Sequence, residues 1–321
     1  MNSSGPWALA AGAINWDISL FVDRLPAGGE EAPVKRILRV PGGKAANVAV
    51  AMARVLGPGR SALVGALGQD QIRELQLEAF RREGVDTRGV VTDPTVESGQ
   101  AYILVDSKGQ NVISTYFGAN SSLKPQLLET SAVKDIVESV RFVVVMDTPL
   151  DFAEALLRKA ALRGVPRLWA PGVRTLRGKK AVSGLLKHVD YFVLNEQELL
   201  NISGVSSIKE GFKVVLSNNP DLSLIVTLGK EGALLLSKGV EVKEEGLDLS
   251  AVGMRAVNTV GCGDAFIGCF AAQTVLDKPP AEALRLANHA GAFKATRLET
   301  RGSPTASELA SFVSKFASLG S

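Results

Sequence analysis

Sulfur and imidazole are scarce: the 321-residue chain has two cysteines and two histidines. Cys262 and Cys269 stand seven positions apart, which gives neither a disulfide framework nor the closely paired ligands of a zinc site. His188 and His289 add no ligand cluster. Aromatic residues make up 6% of the chain, too few for a base-stacking platform. Neither sign of charge is in excess, with 36 basic against 33 acidic residues and a net charge of +3, so no nucleic-acid footprint is visible. No apolar run reaches the ~18 residues of a membrane span. The start, "MNSSGPWALAAGAINWD", has no basic segment ahead of its short apolar run and reads as a first strand, not a secretory signal. A reducing cytoplasm is the default location, with neither nucleic acid nor membrane as partner.

What the chain does have is apolar content, 46% hydrophobic against 21% charged, enough for a large core. Length alone suggests about two domains, but α/β folds of this size often form one unit with an insertion. Short apolar runs alternate with helical patterns. "WALAAGAI", "SALVGALG", "RFVVVM", "PRLWAPG", "DYFVLN" and "LSLIVTLG" read as strands. "KAANVAVAMARVLG", "IRELQLEAFRREG", "PLDFAEALLRKAALRG", "GDAFIGCFAAQTVL" and "PAEALRLANHAGAFKATR" read as helices, the first two closed by Gly57 and Gly84. This alternation predicts an α/β fold with a central, mostly parallel sheet and helices on both faces. Two segments break the rhythm, approximately 16–40 and 98–118. The second is a hairpin, with arms Ala101 to Val105 and Asn111 to Phe117 around a turn at Gly109. They are either surface hairpins or a small separate sheet at one edge, a candidate lid, within a single unit spanning 1–321.

In open α/β sheets ligands sit beyond the carboxyl ends of strands, where loops pass into helices. Two glycine motifs fall there. In "PGGKAANVAVA", Gly42 and Gly43 allow close backbone approach, and Lys44 and Asn47 offer donors to hydroxyl or phosphate oxygens. A tight turn before a close-packed helix explains the same residues. In "NTVGCGDAFIGCF", Gly261 and Gly263 precede a helix whose first-turn N–H groups make an anion hole suited to phosphate. This is not the P-loop pattern, because no Lys-Ser/Thr follows. Asp264 is either a helix cap or the base that takes a proton from a hydroxyl attacking that phosphate. The helix N-terminus predicts an ionised, weakly basic carboxylate.

"NTVGCGDAF" resembles the Asp-Thr-x-Gly-Ala-Gly-Asp signature of the ribokinase, or phosphofructokinase-B, family of sugar kinases. The likeness runs in order along almost the whole chain. "AGAINWD" is similar to the family's first strand, ending in Asn15 and Asp17. "PGGKAANVAVAMARVLG" resembles its first signature, "GQAYILVDSKGQNVISTYFGAN" its lid hairpin, "NEQE" its Asn-x-x-Glu motif, and "VTLGKEGALL" its strand and glycine turn near the nucleotide. The resemblance implies a ribokinase-like three-layer sandwich with a small β-sheet lid. It also implies roles: Asp264 as base; Gly261, Cys262 and Gly263 as anion hole; and Asn15, Asp17, Gly42, Gly43, Lys44, Asn47 and Asp147 as sugar contacts. Asn195, Thr227, Gly229, Gly232 and Asn288 would meet the nucleotide, and Glu198 would meet Mg2+ through water.

The implied reaction is ATP-dependent transfer of the γ-phosphoryl group to a primary hydroxyl of a small sugar, with ribose first. Nucleosides are the alternative, with Tyr102, Tyr116 or Phe117 against the base. Fructose 6-phosphate, with Arg36 and Arg39 as its only evident cationic partners, is third. A non-catalytic sugar-binding protein would have lost the base or the glycines, and a Rossmann dehydrogenase would need G-x-G-x-x-G where the chain has "AGAINWD". Three features depart from the family. Asn258 stands where an aspartate usually helps hold an activating monovalent cation; it keeps an oxygen for potassium and removes the charge. "TRLETRGSP" matches the loop near that cation only in part. "APGVRTL" is closer to nucleoside kinases, and its Arg174 meets a substrate phosphate or is a plain surface charge. An open lid sheet could also pair with its copy in a homodimer.

Overall fold

The computed structural model describes residues 5–172 and 179–318; Arg174 lies outside them. The strands are β1 (Ala8–Gly12), β2 (Asn15–Phe21), β3 (Arg36–Gly42), β4 (Ser61–Gly68), β5 (Asp86–Asp93), β6 (Gly99–Val105), β7 (Asn111–Tyr116), β8 (Phe142–Met146), β9 (Arg167–Ala170), β10 (Tyr191–Asn195), β11 (Ser223–Thr227), β12 (Gly232–Ser237) and β13 (Val240–Glu245). The helices are α1 (Lys44–Leu56), α2 (Gln71–Arg82), α3 (Ser131–Ser139), α4 (Leu150–Leu162), α5 (Lys179–Leu186), α6 (Glu196–Ser203), α7 (Ile208–Leu216), α8 (Cys262–Val275), α9 (Pro280–Ala295) and α10 (Ala306–Ala317).

Nine strands form one sheet in the order β13-β12-β11-β10-β9-β8-β1-β4-β5. It is parallel from β5 to β11 and antiparallel at β12 and β13. Every residue of β1, β4 and β8 is buried, as continuous apolar runs covered on both faces require. Alternate side chains feed two separate cores. Ala8, Ala10, Leu63 and Val144 meet α1, α8 and α9 on one face. Leu9, Val64, Val143 and Val145 meet α3, α4 and α6 on the other. The expected three-layer α/β sandwich is present.

A second, four-stranded sheet has the order β3-β2-β6-β7. The expected hairpin is β6 and β7, antiparallel from Gln100↔Tyr116 to Val105↔Asn111, with Gly109 in the turn at φ 80°. The earlier segment also supplies strands, β2 and β3. Here the sequence reading is corrected: Asn15 and Asp17 do not end the first strand. β1 stops at Gly12 (φ 143°), where a Cβ would lie 1.7 Å from the Met146 carbonyl oxygen. The chain bends there, and Asn15 opens β2 in the small sheet. Register sets Asn15 beside both Gly42 and Gly99, with Asp17 two residues on and therefore on the same face.

α1 and α8 pack closely because Gly268 lacks a side chain: a Cβ there would stand 2.5 Å from Ala51 Cβ and 3.0 Å from the Val48 carbonyl oxygen. Gly268→Val is expected to cost about 1–3 kcal/mol or more through overpacking. A lowered urea midpoint with unchanged slope is the expected reading. A wild-type midpoint would show that the contact is dispensable.

Candidate active site

Three glycines around the start of α8 have three different jobs. Gly261, the N-cap, has φ 87°, and a Cβ there would lie 2.3 Å from the Thr300 carbonyl oxygen, so it makes a tight turn. Gly268 makes the helix contact. Around Gly263 a Cβ would find nothing within 4 Å among the described residues. The N–H groups of Gly263 and Asp264 lie in the first turn, where no carbonyl of the helix reaches them and the helix dipole is positive. The cysteines take no part as thiolates. Burial pushes the Cys262 thiol up to about 11 and the Cys269 thiol up to about 12.

Asp264 is not a helix cap. It stands three residues inside a helix capped by Gly261, and its Oδ2 accepts instead from Asn47 Nδ2 of α1 at 2.7 Å. The other end of that amide is also engaged: Arg301 Nε donates to Asn47 Oδ1 at 3.0 Å. Since a guanidinium only donates, Asn47 is fixed with its NH2 toward Asp264. Burial raises the Asp264 pKa above the ordinary carboxylate value, against the opposing pull of Asn47, Lys44 and Lys294. The weakly basic carboxylate expected from the helix end is thereby corrected, because desolvation outweighs the favourable field.

A second polar group flanks this carboxylate. Asp17 is 6% exposed, and a Cβ at Gly42 would fall 2.2 Å from its carboxylate oxygens. Burial lifts its pKa to about 7, with Asp264 adding to the rise and Arg301, Lys44 and a hydrogen bond with Thr300 working against it. Asn15 Oδ1 accepts from Asn120 Nδ2 at 2.8 Å, which leaves its own NH2 as the outward donor. Gly43 (φ 93°) is the N-cap of α1. Lys44 Nζ donates to Asp147 Oδ2 at 3.1 Å; Asp147 is buried just after β8 with φ 51°. Burial works against the Lys44 charge, but Asp147 and Asp264 outweigh it and hold its pKa above the ordinary value.

On the other side of Gly263 a cavity of about 310 Å³ is lined by Thr227, Gly229, Gly232, Cys262, Gly263 and Asn288, among others. Asn288 is held by donating Nδ2 to the Glu245 carbonyl at 2.8 Å. A neighbouring cavity of about 140 Å³ includes Lys44, Asn195, Glu198, Thr227, Gly263 and Asp264 in its wall. Thr227 and Gly263 belong to both walls. Asn195 and Glu198 form a capping box at α6, Glu198 N donating to Asn195 Oδ1 (2.8 Å) and Asn195 N donating to Glu198 Oε2 (3.0 Å). Burial raises the Glu198 pKa, opposed by its bond from Asn195 and by Lys44. Asn258 stands apart from these walls, bonded to the chain after α9.

Sequence reasoning missed Arg301. Besides Asn47, it donates to the Gly42 carbonyl and to Gln76 Oε1, both at 2.8 Å. Gln76 in turn donates to the Asn15 carbonyl at 2.6 Å. One guanidinium, its pKa lowered to about 9 by burial, thus braces Asn15, Gly42 and Asn47 together. "TRG" after a charged segment carries no signal of this.

The Asp17 shift has a consequence for stability. Its folded pKa lies above the unfolded value of 3.8, near 7. Between these values the folded state keeps a proton that the unfolded state loses, so Asp17 favours folding at low pH. That contribution is lost as pH rises through this window, at up to about 1.4 kcal/mol per pH unit. Urea unfolding of wild type and Asp17→Asn at pH 4.5, 5.5 and 6.5 is expected to show wild type losing ground steadily against the variant. A difference independent of pH would place the Asp17 pKa near its ordinary value.

Comparison with known proteins shows the family. Residues 8–306 match the model of the pfkB family carbohydrate kinases. The chain is 31% identical over 310 residues to an ATP-dependent ribose-1-phosphate kinase of Halopiger xanaduensis, covering 96% of this chain and 98% of that one. It is 29% identical over 266 residues to a ribokinase of Staphylococcus aureus, covering 81% and 83%. The Arabidopsis thaliana ribokinase solved with ribose and ATP superimposes with a TM-score of 0.84 at 25% identity, covering 96% of this chain and 99% of that one. The chain belongs to the pfkB family of carbohydrate kinases, phosphotransferases that act on an alcohol group.

Proposed function

We propose that the protein transfers the γ-phosphoryl group of ATP to the primary hydroxyl of a ribose-type sugar, free ribose being the first candidate. The observation that carries this reading is the place of Asp264. Its carboxylate lies in the first turn of α8, oriented by Asn47, with the cavity of Thr227, Gly229 and Asn288 beyond Gly263 and the Asp17–Asn15 group beside it. ATP would occupy that cavity with its phosphates at the start of α8. Asp17 would accept from sugar hydroxyls, and Asn15 would donate to one. Asp264 orients the attacking hydroxyl and takes its proton as the new oxygen–phosphorus bond forms and the bond to the leaving ADP breaks. The first-turn N–H groups receive the charge on the transferred group.

Mg2+ would arrive with the phosphates and offset their charge. The half-buried Glu198 carboxylate, facing the same cavity as Lys44 and Gly263, suits a contact through water. The small sheet would act as a lid that keeps water from competing as acceptor. The face turned away from Asp17 carries Val112, 53% exposed, with Tyr102 and Tyr116. That exposed apolar face supports a homodimer formed through the lids.

A second acceptor has support of its own: the relative 31% identical over 96% of the chain is named for ribose 1-phosphate. A screen with ATP over ribose, ribose 1-phosphate, nucleosides, fructose and fructose 6-phosphate separates these choices. The highest kcat/KM is expected with ribose, and saturation at much lower concentration by ribose 1-phosphate or a nucleoside would displace it. Asp264→Asn is expected to lower kcat at least ~100-fold with ATP binding kept; near-normal turnover would end this mechanism. Light scattering tests the dimer, which a monomeric mass would rule out.

A further inference from the structure

Behind the first turn of α8, main-chain oxygens gather where α9 ends. Val257 N and Asn258 N both donate to the Ala295 carbonyl, at 2.7 and 3.1 Å. Lys294, with 0% exposure, donates from Nζ to the Asn258 carbonyl at 2.8 Å and to the Arg297 carbonyl at 3.4 Å. The Asn258 side chain donates Nδ2 to the Leu298 carbonyl at 2.7 Å and accepts the Val260 N–H on Oδ1 at 3.0 Å. The bond from Val260 fixes which end of this amide is the oxygen.

Carbonyl oxygens clustered at the negative end of a helix dipole attract a weakly hydrated monovalent cation. In this chain the oxygens are already engaged. An ammonium sits on two of them, and a carboxamide presents its NH2, not its oxygen, to a third. Potassium does not fit among them. A buried methionine would fill the same space without the cost of burying a charge, so the charge itself has a use.

We propose that the Lys294 ammonium is a built-in monovalent cation. It holds the 258–263 turn, and with it the N–H groups at the start of α8, in the geometry that receives the phosphoryl group without added potassium. This rests on the kinase reading above. Lys294 is a positioning residue, acting through backbone oxygens and through its field at Cys262 and Asp264. Burial lowers its pKa, while Cys262, Asp264 and Glu299 act to keep it charged.

The test measures the affinity of a non-hydrolysable ATP analogue with Mg2+ by calorimetry, in potassium chloride and in choline chloride, whose cation is too large for the site. Wild type is expected to bind equally in both. Lys294→Ala, which leaves a hole, should bind roughly 10- to 100-fold more weakly in choline, the range seen when a group that orients the binding atoms without touching the ligand is lost. It should recover in ammonium or potassium chloride. Lys294→Met, which fills the hole, should be weak in every salt. Potassium-dependent binding by wild type, or undiminished binding by Lys294→Met, overturns the inference while leaving the kinase reading intact. The wild-type series decides even if a variant fails to fold. Absence of nucleotide binding in any salt removes the kinase reading and this inference with it.

Discussion

The close approach of α1 and α8 is the contact from which the site follows. Asp264 and Gly268 are four residues apart on α8, as Asn47 and Ala51 are on α1, so each pair shares one helix face. Asn47 reaches Asp264, and Ala51 meets Gly268. The helices therefore run side by side in the same direction, with both N-termini at one end. The positive ends of two dipoles, the diglycine of α1 and the glycine turn of α8 are brought together at the carboxyl ends of β1 and β8. A side chain at position 268 would separate them and lengthen the bond from Asn47.

Charges at this point are arranged so that none stands alone. Asp147 holds Lys44, Asn47 holds Asp264, and Arg301 holds Asn47 while opposing the burial of Asp17. Truncating Arg301 would take a partner from Asn47 and an opposing charge from Asp17, both buried, which costs more than the pair itself contributes. The Arg301 brace also explains how a loop near the C-terminal end, beyond α9, can set the geometry of residues near the start of the chain.

Much of this was legible in the sequence, for definite reasons. Strands covered on both faces read as unbroken apolar runs, and glycines before a small-residue helix read as a backbone cradle. Edge strands were not legible: "VEVKEE" (β13) and "DTRGVVTD" (β5) are half polar because one side meets water. The segment of β2 and β3 was legible as a piece of a small separate sheet, but the point where β1 gives way to β2 was not, because the bend at Gly12 depends on the Met146 carbonyl in another strand. Arg301 and Lys294 were missed for a related cause. Each is a charge in a charged segment, the usual mark of a surface, and only the folded chain shows their partners to be backbone oxygens and amides.

The two raised carboxylates set an order of events on the proposed reading. Near neutral pH Asp17 is close to its midpoint. Sugar hydroxyls donate to the ionised form, so acceptor binding draws Asp17 toward full negative charge. Asp264 lies near enough to raise the Asp17 pKa, and Coulomb repulsion between two carboxylates acts on both. Filling the sugar site therefore pushes the Asp264 pKa further up and makes it a stronger base only once a hydroxyl is present to be deprotonated.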